Sequence, residues 1–272
     1  MWNLRSRARV TLTATALIAS LAILAAQVPA PEPATDAETE LGLAVYNQLK
    51  EQAEIVSASP LYDTLRPVAE AITRVAQPKY EHPFKFLLVH EAKPNAFSAP
   101  GGNVYVTDAL LYFVKNTEQL AGTLCHEVSH TIHHDAMKRI DEARRTIAAQ
   151  IGAAVLLGPT LAKVIALKLL GDLHSNSYSR EIESAADLTG ADVCAAAGYN
   201  PWGLVWLFQD FQDADTEHVP QFLSDHPGNE TRVATLRKHF SDDPATFSKF
   251  TPDRRSATPL QVPQDATMQF LR

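Results

Sequence analysis

Residues 126–130 read His-Glu-Val-Ser-His, and no other stretch constrains the chain as much. Leu120, Ala121, Leu124, Val128 and Ile132 recur around it at three- and four-residue spacing. That spacing predicts a helix, with Thr117 and Glu118 as a cap-like start. On a helix, residues four apart stand one turn above each other on the same face. His126 and His130 would then present two imidazoles to one Zn²⁺ at about 2.0–2.1 Å. Glu127 lies beside that face, within reach of a water on the metal. An ordinary amphipathic helix carrying two histidines would show the same spacing, so the reading needs a third ligand.

The segment 178–190, YSREIESAADLTG, supplies one. Its pattern is again helical, and Glu183 and Asp187 are four apart on one face. Either carboxylate can ligate while the other, one turn away, orients a ligating histidine. A ligand from a second helix leaves the fourth zinc position open, as catalysis requires. The small apolar run AADLTGADVCAAAG from residue 185 suits close helix packing better than a solvated acidic face.

The first 26 residues stand apart. Arg5, Arg7 and Arg9 precede an apolar run from Val10 to Ala26, and no acidic residue occurs before Glu32. Residues 1–30 are expected to be an export signal or a retained N-terminal anchor. Without its three arginines the formal charge moves from −7 to −10. An acidic exported domain with no basic stripe argues against nucleic acid as a partner. Cys125 and Cys194 are the only cysteines. If His126 and Glu183 share a metal, Cys194 stands three helical turns past Glu183, roughly 16 Å along the axis. The two are therefore expected to be unbridged, as small buried hydrophobes.

The remaining pattern is scaffold. Helical spacing runs from Glu38 to Ile55 and from Leu61 to Val75, and Phe84 to His90 reads as a strand. Asn95 to Thr107 reads as two short extended pieces joined through Gly101 and Gly102, where positive φ is expected. That pair is either a plain hairpin or an edge strand beside the metal, offering backbone groups to an extended peptide. Residues 147–170 form an apolar stretch broken at Gly158-Pro159. It is expected to be a helical hairpin that packs in the core, covers the cleft or touches a membrane surface. An aromatic helix follows at Pro201 to Phe211, then a loop around His226-Pro227, with Arg232 opening another helix. Beyond Ser241 the chain reads as irregular. The fold class is α+β, mainly α: one metal-binding domain over 31–240 with a small sheet beside the active-site helix, and a tail over 241–272.

Five motifs in order resemble those of the gluzincin-type zinc metallopeptidases. That family includes the heat-shock membrane protease HtpX, the CAAX prenyl protease and soluble periplasmic assembly-quality proteases. The motifs are NAFSAPGGNVYVT from 95, HEVSHTIHH from 126, SREIESAAD from 179, AAGYNP from 196 and HPGNETR from 226. The resemblance implies a zincin-like fold holding one Zn²⁺ per chain, with His126, His130 and Glu183 as ligands and Glu127 as catalytic base. It implies that Asp187, Arg180 and Arg232 stand behind the ligands, and that Asn95, Ala96, Phe97, Gly101 and Gly102 line a substrate groove. It raises His226 to a candidate that steadies an oxyanion or takes the open zinc position at rest. Neither the several membrane spans of HtpX-like members nor the helical-repeat tail of some periplasmic ones is expected here.

The function expected from this is zinc-dependent endoproteolysis of misfolded or unassembled cell-envelope proteins, with an unfolded or extended polypeptide as substrate. The setting expected is the bacterial periplasm, with the protein soluble or held at the inner membrane by its N-terminal segment. The competing expectation is a zinc-stabilised chaperone or assembly factor that binds extended chains in the same groove with little turnover.

Overall fold

The apolar spacing around HEVSH becomes a helix, α4 (Thr117–Ile132), in which every residue from Glu118 to Thr131 is buried. The computed structural model describes residues 36–52, 54–151, 164, 178–213, 222, 226 and 229–263. Asn116, one residue before the expected start, caps α4 by accepting from the Gln119 amide at 2.9 Å. Two helices, one rich in small residues and one in aromatic residues, pack on α4. They are α6 (Arg180–Ala197), capped by Ser179, and α7 (Trp202–Asp213). Gly190 of α6 and Gly203 of α7 allow the close approach. A Cβ on Gly190 would lie 3.2 Å from the backbone of Cys125 and His126, and one on Gly203 would collide with the Glu118 carbonyl.

This approach overturns the expected separation of the cysteines. Cys125 and Cys194 form a disulfide, with Cα atoms 5.8 Å apart. The cysteines would stand apart only if Glu183 were level with the backbone of His126. In the structure that backbone is level with Gly190, seven residues further along α6. The imidazole and the carboxylate span the offset by their own length. Cys194, one turn past Gly190, therefore stands opposite Cys125.

The sheet has four strands, β1 (Ile55–Val56), β2 (Lys85–Val89), β3 (Ala96–Ala99) and β4 (Asn103–Thr107), in the order β1-β2-β4-β3. β2 and β4 are parallel, while β3 returns antiparallel on β4, pairing Ala96 with Val106 and Phe97 with Tyr105. Gly101 and Gly102 make the turn at φ 75° and 81°, the left-handed region that glycine enters without a Cβ clash. Side chains alternate across the sheet. Phe97, Ala99 and Tyr105 pack on Val45 and Leu49 of α1 (Ala37–Glu51). Ala96, Val104 and Val106 face the main core with α2 (Leu61–Ala76) and α4. Ile55, expected in the first helix, instead pairs with Val89 as β1, because α1 ends at Glu51.

A short α3 (Asp108–Phe113) leads from β4 towards α4, and after α4, α5 (Asp135–Ile151) begins. The expected hairpin over 147–170 lies outside the described residues apart from the last turn of α5 and Val164, and the N-terminal segment 1–30 lies outside them altogether. No helix among the described residues is long and apolar enough to cross a membrane. The stretch past Ser241, expected to be irregular, finishes α8 (Asn229–Asp242) and holds a short α9 (Pro244–Phe247) with Phe247 buried. It then returns to the start of α4, where the Thr258 amide donates to Glu118 Oε2 at 3.0 Å and Pro259 bridges to Asn116. Through residue 263 this segment is part of the domain.

Candidate metal centre and active site

His126 and His130 project from adjacent turns of α4, with Nε2 atoms 3.1 Å apart. Glu183, in the first turn of α6, brings Oε2 to 3.4 Å from His126 Nε2 and Oε1 to 3.7 Å from His130 Nε2. His226 closes the group. Its Nδ1 lies 3.2 Å from His126 Nε2 and 2.8 Å from Glu183 Oε1. All four side chains are buried. Four ligands about 2.0–2.1 Å from one tetrahedral ion stand about 3.3–3.4 Å from each other, and these separations scatter around that edge length.

The proton inventory fits an ion as well. His126 Nδ1 lies 3.0 Å from Asp187 Oδ1, and His130 Nδ1 lies 3.0 Å from Asp135 Oδ2. A carboxylate accepts, so each Nδ1 carries the proton and each Nε2 turns a lone pair towards the centre. Glu183 Oε2 has no hydrogen-bond donor, although the Arg232 guanidinium stands 3.0 Å away. Converging lone pairs and an unsatisfied buried carboxylate oxygen are what a dication satisfies. Burial lowers the pKa of His130 to about 3 despite the Asp135 bond, which fixes it in the neutral form that ligation needs. Burial also disfavours charge on His126, yet its bonds to Asp187 and Glu183 outweigh this and push it up to about 9. The same carboxylates favour a positive charge at the centre of the cluster. Burial would raise Glu183, but the charge of His226 and the bonds from His126 and His226 hold it well below the usual carboxylate range.

Glu127 sits beside this cluster. Its Oε1 is buried without a hydrogen-bond partner, 3.4 Å from His226 Nε2, and the Ser98 hydroxyl bonds to its carboxyl. Burial pushes its pKa up, with His226 and His126 opposing. A raised carboxyl aimed at a metal centre is equipped to take and return a proton.

The arginine behind the ligands is Arg232. It grips Asp187 through Nε and Nη2 at 2.7 and 2.6 Å, and Nη1 donates to the His226 carbonyl at 2.9 Å. It thereby ties the 226 segment to α6. Arg180, expected beside it, is an exposed first-turn residue of α6. A side chain there leans back past the helix N-terminus.

The groove residues divide by strand alternation. Ala96 and Ser98 face α4 and Glu127, and Asn95 is buried at the head of the strand. Phe97 points to the opposite face, into the α1 cluster. Gly101 and Gly102 lie beneath α1 and against Pro83 instead of lining a groove. β3 is nevertheless the edge strand, as expected, and it runs beside α4.

Two contributors had escaped the sequence reading. Asp135 orients His130 from the first residue of α5, five positions on. Tyr178 stacks on the His130 ring at 4.4 Å and 17°, with Arg139 4.9 Å above the tyrosine ring. Asp135 follows the motif directly and could have been weighed as an acid within reach. Nothing in the spacing marked Tyr178.

The chain is similar in sequence to known proteins. The model of peptidase family M48 matches residues 62–239. Beta-barrel assembly-enhancing protease of Escherichia coli (strain K12) is 27% identical over 210 residues, which cover 74% of this chain and 43% of that protein. Mitochondrial metalloendopeptidase OMA1 of Schizosaccharomyces pombe is 26% identical over 153 residues, covering 56% and 45% respectively. The chain thus spans less than half the length of these relatives. The family match takes in the whole of α4 and α6, with His126, His130 and Glu183 inside it, and the chain belongs to peptidase family M48.

Proposed function

We propose that the protein is a zinc-dependent endopeptidase acting on misfolded or unassembled cell-envelope proteins. The observation that carries the reading is the buried, unpartnered Glu127 carboxyl oxygen beside a three-imidazole, one-carboxylate cluster. His126, His130 and Glu183 would hold the ion. When bound, zinc supplies a Lewis acid for the scissile carbonyl and lowers the pKa of water towards about 7. Glu127 takes the proton of the attacking water and delivers it to the leaving amine. Such a role is worth roughly 10²–10⁴-fold. His226 holds the fourth corner of the cluster at rest and, once it yields that place, is a donor for the tetrahedral oxyanion. Arg232 keeps the 226 segment in position. An extended substrate would add to the outer edge of β3, using main-chain bonds next to Ser98 and Glu127.

The Cys125–Cys194 disulfide supports an oxidising compartment, and with the arginine-led apolar N-terminus it supports export to the periplasm. Two relatives named as a metalloendopeptidase and as an assembly-enhancing protease support the reaction class. The Glu127→Gln variant tests the mechanism. It should keep its zinc by elemental analysis and lose at least about 10²-fold of its hydrolysis of an unfolded protein. Cleavage at the wild-type rate would remove Glu127 as the base.

One observation favours a second reading. His226 completes four protein donors around the centre, as a structural zinc site does. A zinc-stabilised assembly factor that binds extended chains without cutting them would have this closed set. Rescue of an envelope defect by Glu127→Gln would favour it, and strict dependence on Glu127 favours proteolysis.

A further inference from the structure

A second group of metal-ligating side chains gathers where α1, the loop before β2 and the α4–α5 turn meet. Glu38 comes from the first turn of α1, Glu81 and His82 from the loop, and His134 from the turn. One ligating atom each from Glu38, Glu81 and His134 lies within 4.8 Å of the others. Glu38 Oε2 is 3.1 Å from His134 Nδ1 and 3.8 Å from His82 Nε2. Glu81 Oε2 is 3.8 Å from His134 Nε2, and its Oε1 is 4.0 Å from His82 Nε2.

We infer that Glu38, Glu81 and His134, with His82 beside them, form a second divalent-cation site, of the zinc class, distinct from the buried centre. Three observations carry this. The Tyr80 hydroxyl donates to Glu38 Oε1 at 2.5 Å, with the Gly101 amide 3.5 Å from the same oxygen, so Oε2 is turned towards the imidazoles. Outer bonds of this kind fix the orientation of a ligating carboxylate. His134 has φ 54°, the left-handed conformation that ends α4, and this backbone sets its ring against Glu38. The donor set is also of the right kind, since mixed imidazole–carboxylate sets suit zinc and its neighbours. The site is more open than the buried one. The Glu38 side chain is 13% exposed and that of Glu81 62%, so Glu81 closes onto an ion by moving within solvent. A bound ion would fasten the cover helix α1 to the end of the helix that carries His126 and His130.

The test is a count of ions on the whole chain, stripped by chelator and titrated with Zn²⁺ alone. Native mass spectrometry should find one ion fewer on Glu81→Gln/His134→Gln than on wild type at micromolar free Zn²⁺. Zn²⁺ should also raise the thermal midpoint of wild type more than that of the variant. Both substituted side chains are partly or largely exposed, and circular dichroism checks the fold. Because the readout is the difference between the two proteins, it holds whatever the buried cluster binds. A companion His126→Ala/His130→Ala protein should still bind one ion, which the 81/134 substitutions then abolish. Equal ion counts on wild type and Glu81→Gln/His134→Gln would overturn the site.

Discussion

Asp135 Oδ2 accepts from His130 Nδ1 at 3.0 Å, so the first residue of one helix sets the tautomer of a candidate ligand on the helix before it. His126 has its own acceptor in Asp187 at the same distance. Asp135→Asn offers a carbonyl or an amide where a carboxylate stood and leaves the ring orientation less fixed. Loss of such a partner costs about 10–100-fold in metal affinity. Competition for Zn²⁺ with a chromophoric chelator checks this, and an unchanged affinity would remove Asp135 from the centre.

The disulfide joins residues 69 apart and sits next to His126. A cross-link across a loop of that length restricts the unfolded chain and is worth about 2–4 kcal/mol. Cys125→Ala/Cys194→Ala should lower the urea midpoint by a corresponding amount. Wild type in the presence of a thiol reductant should move towards the same value.

Gly203 lets α7 lie directly on α4, where any Cβ would meet the Glu118 carbonyl. That atom is backbone within a buried helix and has nowhere to go, so Gly203→Ala should cost at least about 1–3 kcal/mol. Gly198, whose added Cβ would meet nothing within 4 Å, differs in kind, because its φ of 91° closes α6 in a left-handed cap. Denaturant unfolding of the two alanine variants separates packing from backbone strain. The Gly203 variant loses near-ultraviolet dichroism from the neighbouring aromatic residues, and the Gly198 variant keeps it.

Asp210 gives a pH dependence of known sign. Burial would raise its pKa, but bonds from Arg254 at 2.6 Å, Gln119 at 2.6 Å and Lys115 at 3.1 Å hold it below the ordinary carboxylate value. A depressed folded value means the stabilisation is present above the unfolded pKa of about 3.9. It is lost as pH falls through the folded value. Lys115 is largely exposed and contributes little. Asp210→Asn should therefore be less stable than wild type at neutral pH, by about 1–3 kcal/mol. The gap should narrow below pH 4 in urea titrations, and a gap that stays constant with pH would show that Asp210 is not charged in the fold.

The clustering of His126, His130 and Glu183 was legible in the sequence because these residues lie on helices whose faces follow from spacing alone. His126 with His130 and Glu183 with Asp187 are pairs one turn apart, and regular geometry carries them to the right side. His226 lies in no regular element, so only resemblance singled it out. Phe97, Gly101 and Gly102 were misplaced for a different reason. A run of residues shows that a strand exists, while which face meets the site depends on the partner helix, and α1 claims the Phe97 face. The disulfide was missed because the level at which α4 and α6 cross is set by Gly190, a contact between backbones that leaves no mark in side-chain periodicity. Asp210 and Arg254 are joined across 44 residues by tertiary packing of the final segment, which composition alone described as irregular.

The histidines at 126 and 226 touch although a hundred positions separate them. A chain emerging in order has its helical pair and its first carboxylate long before the last imidazole and the arginine that secures it. The cluster therefore cannot be complete until most of the chain has been made, and its four side chains meet only where the two helices and the 226 segment are packed together.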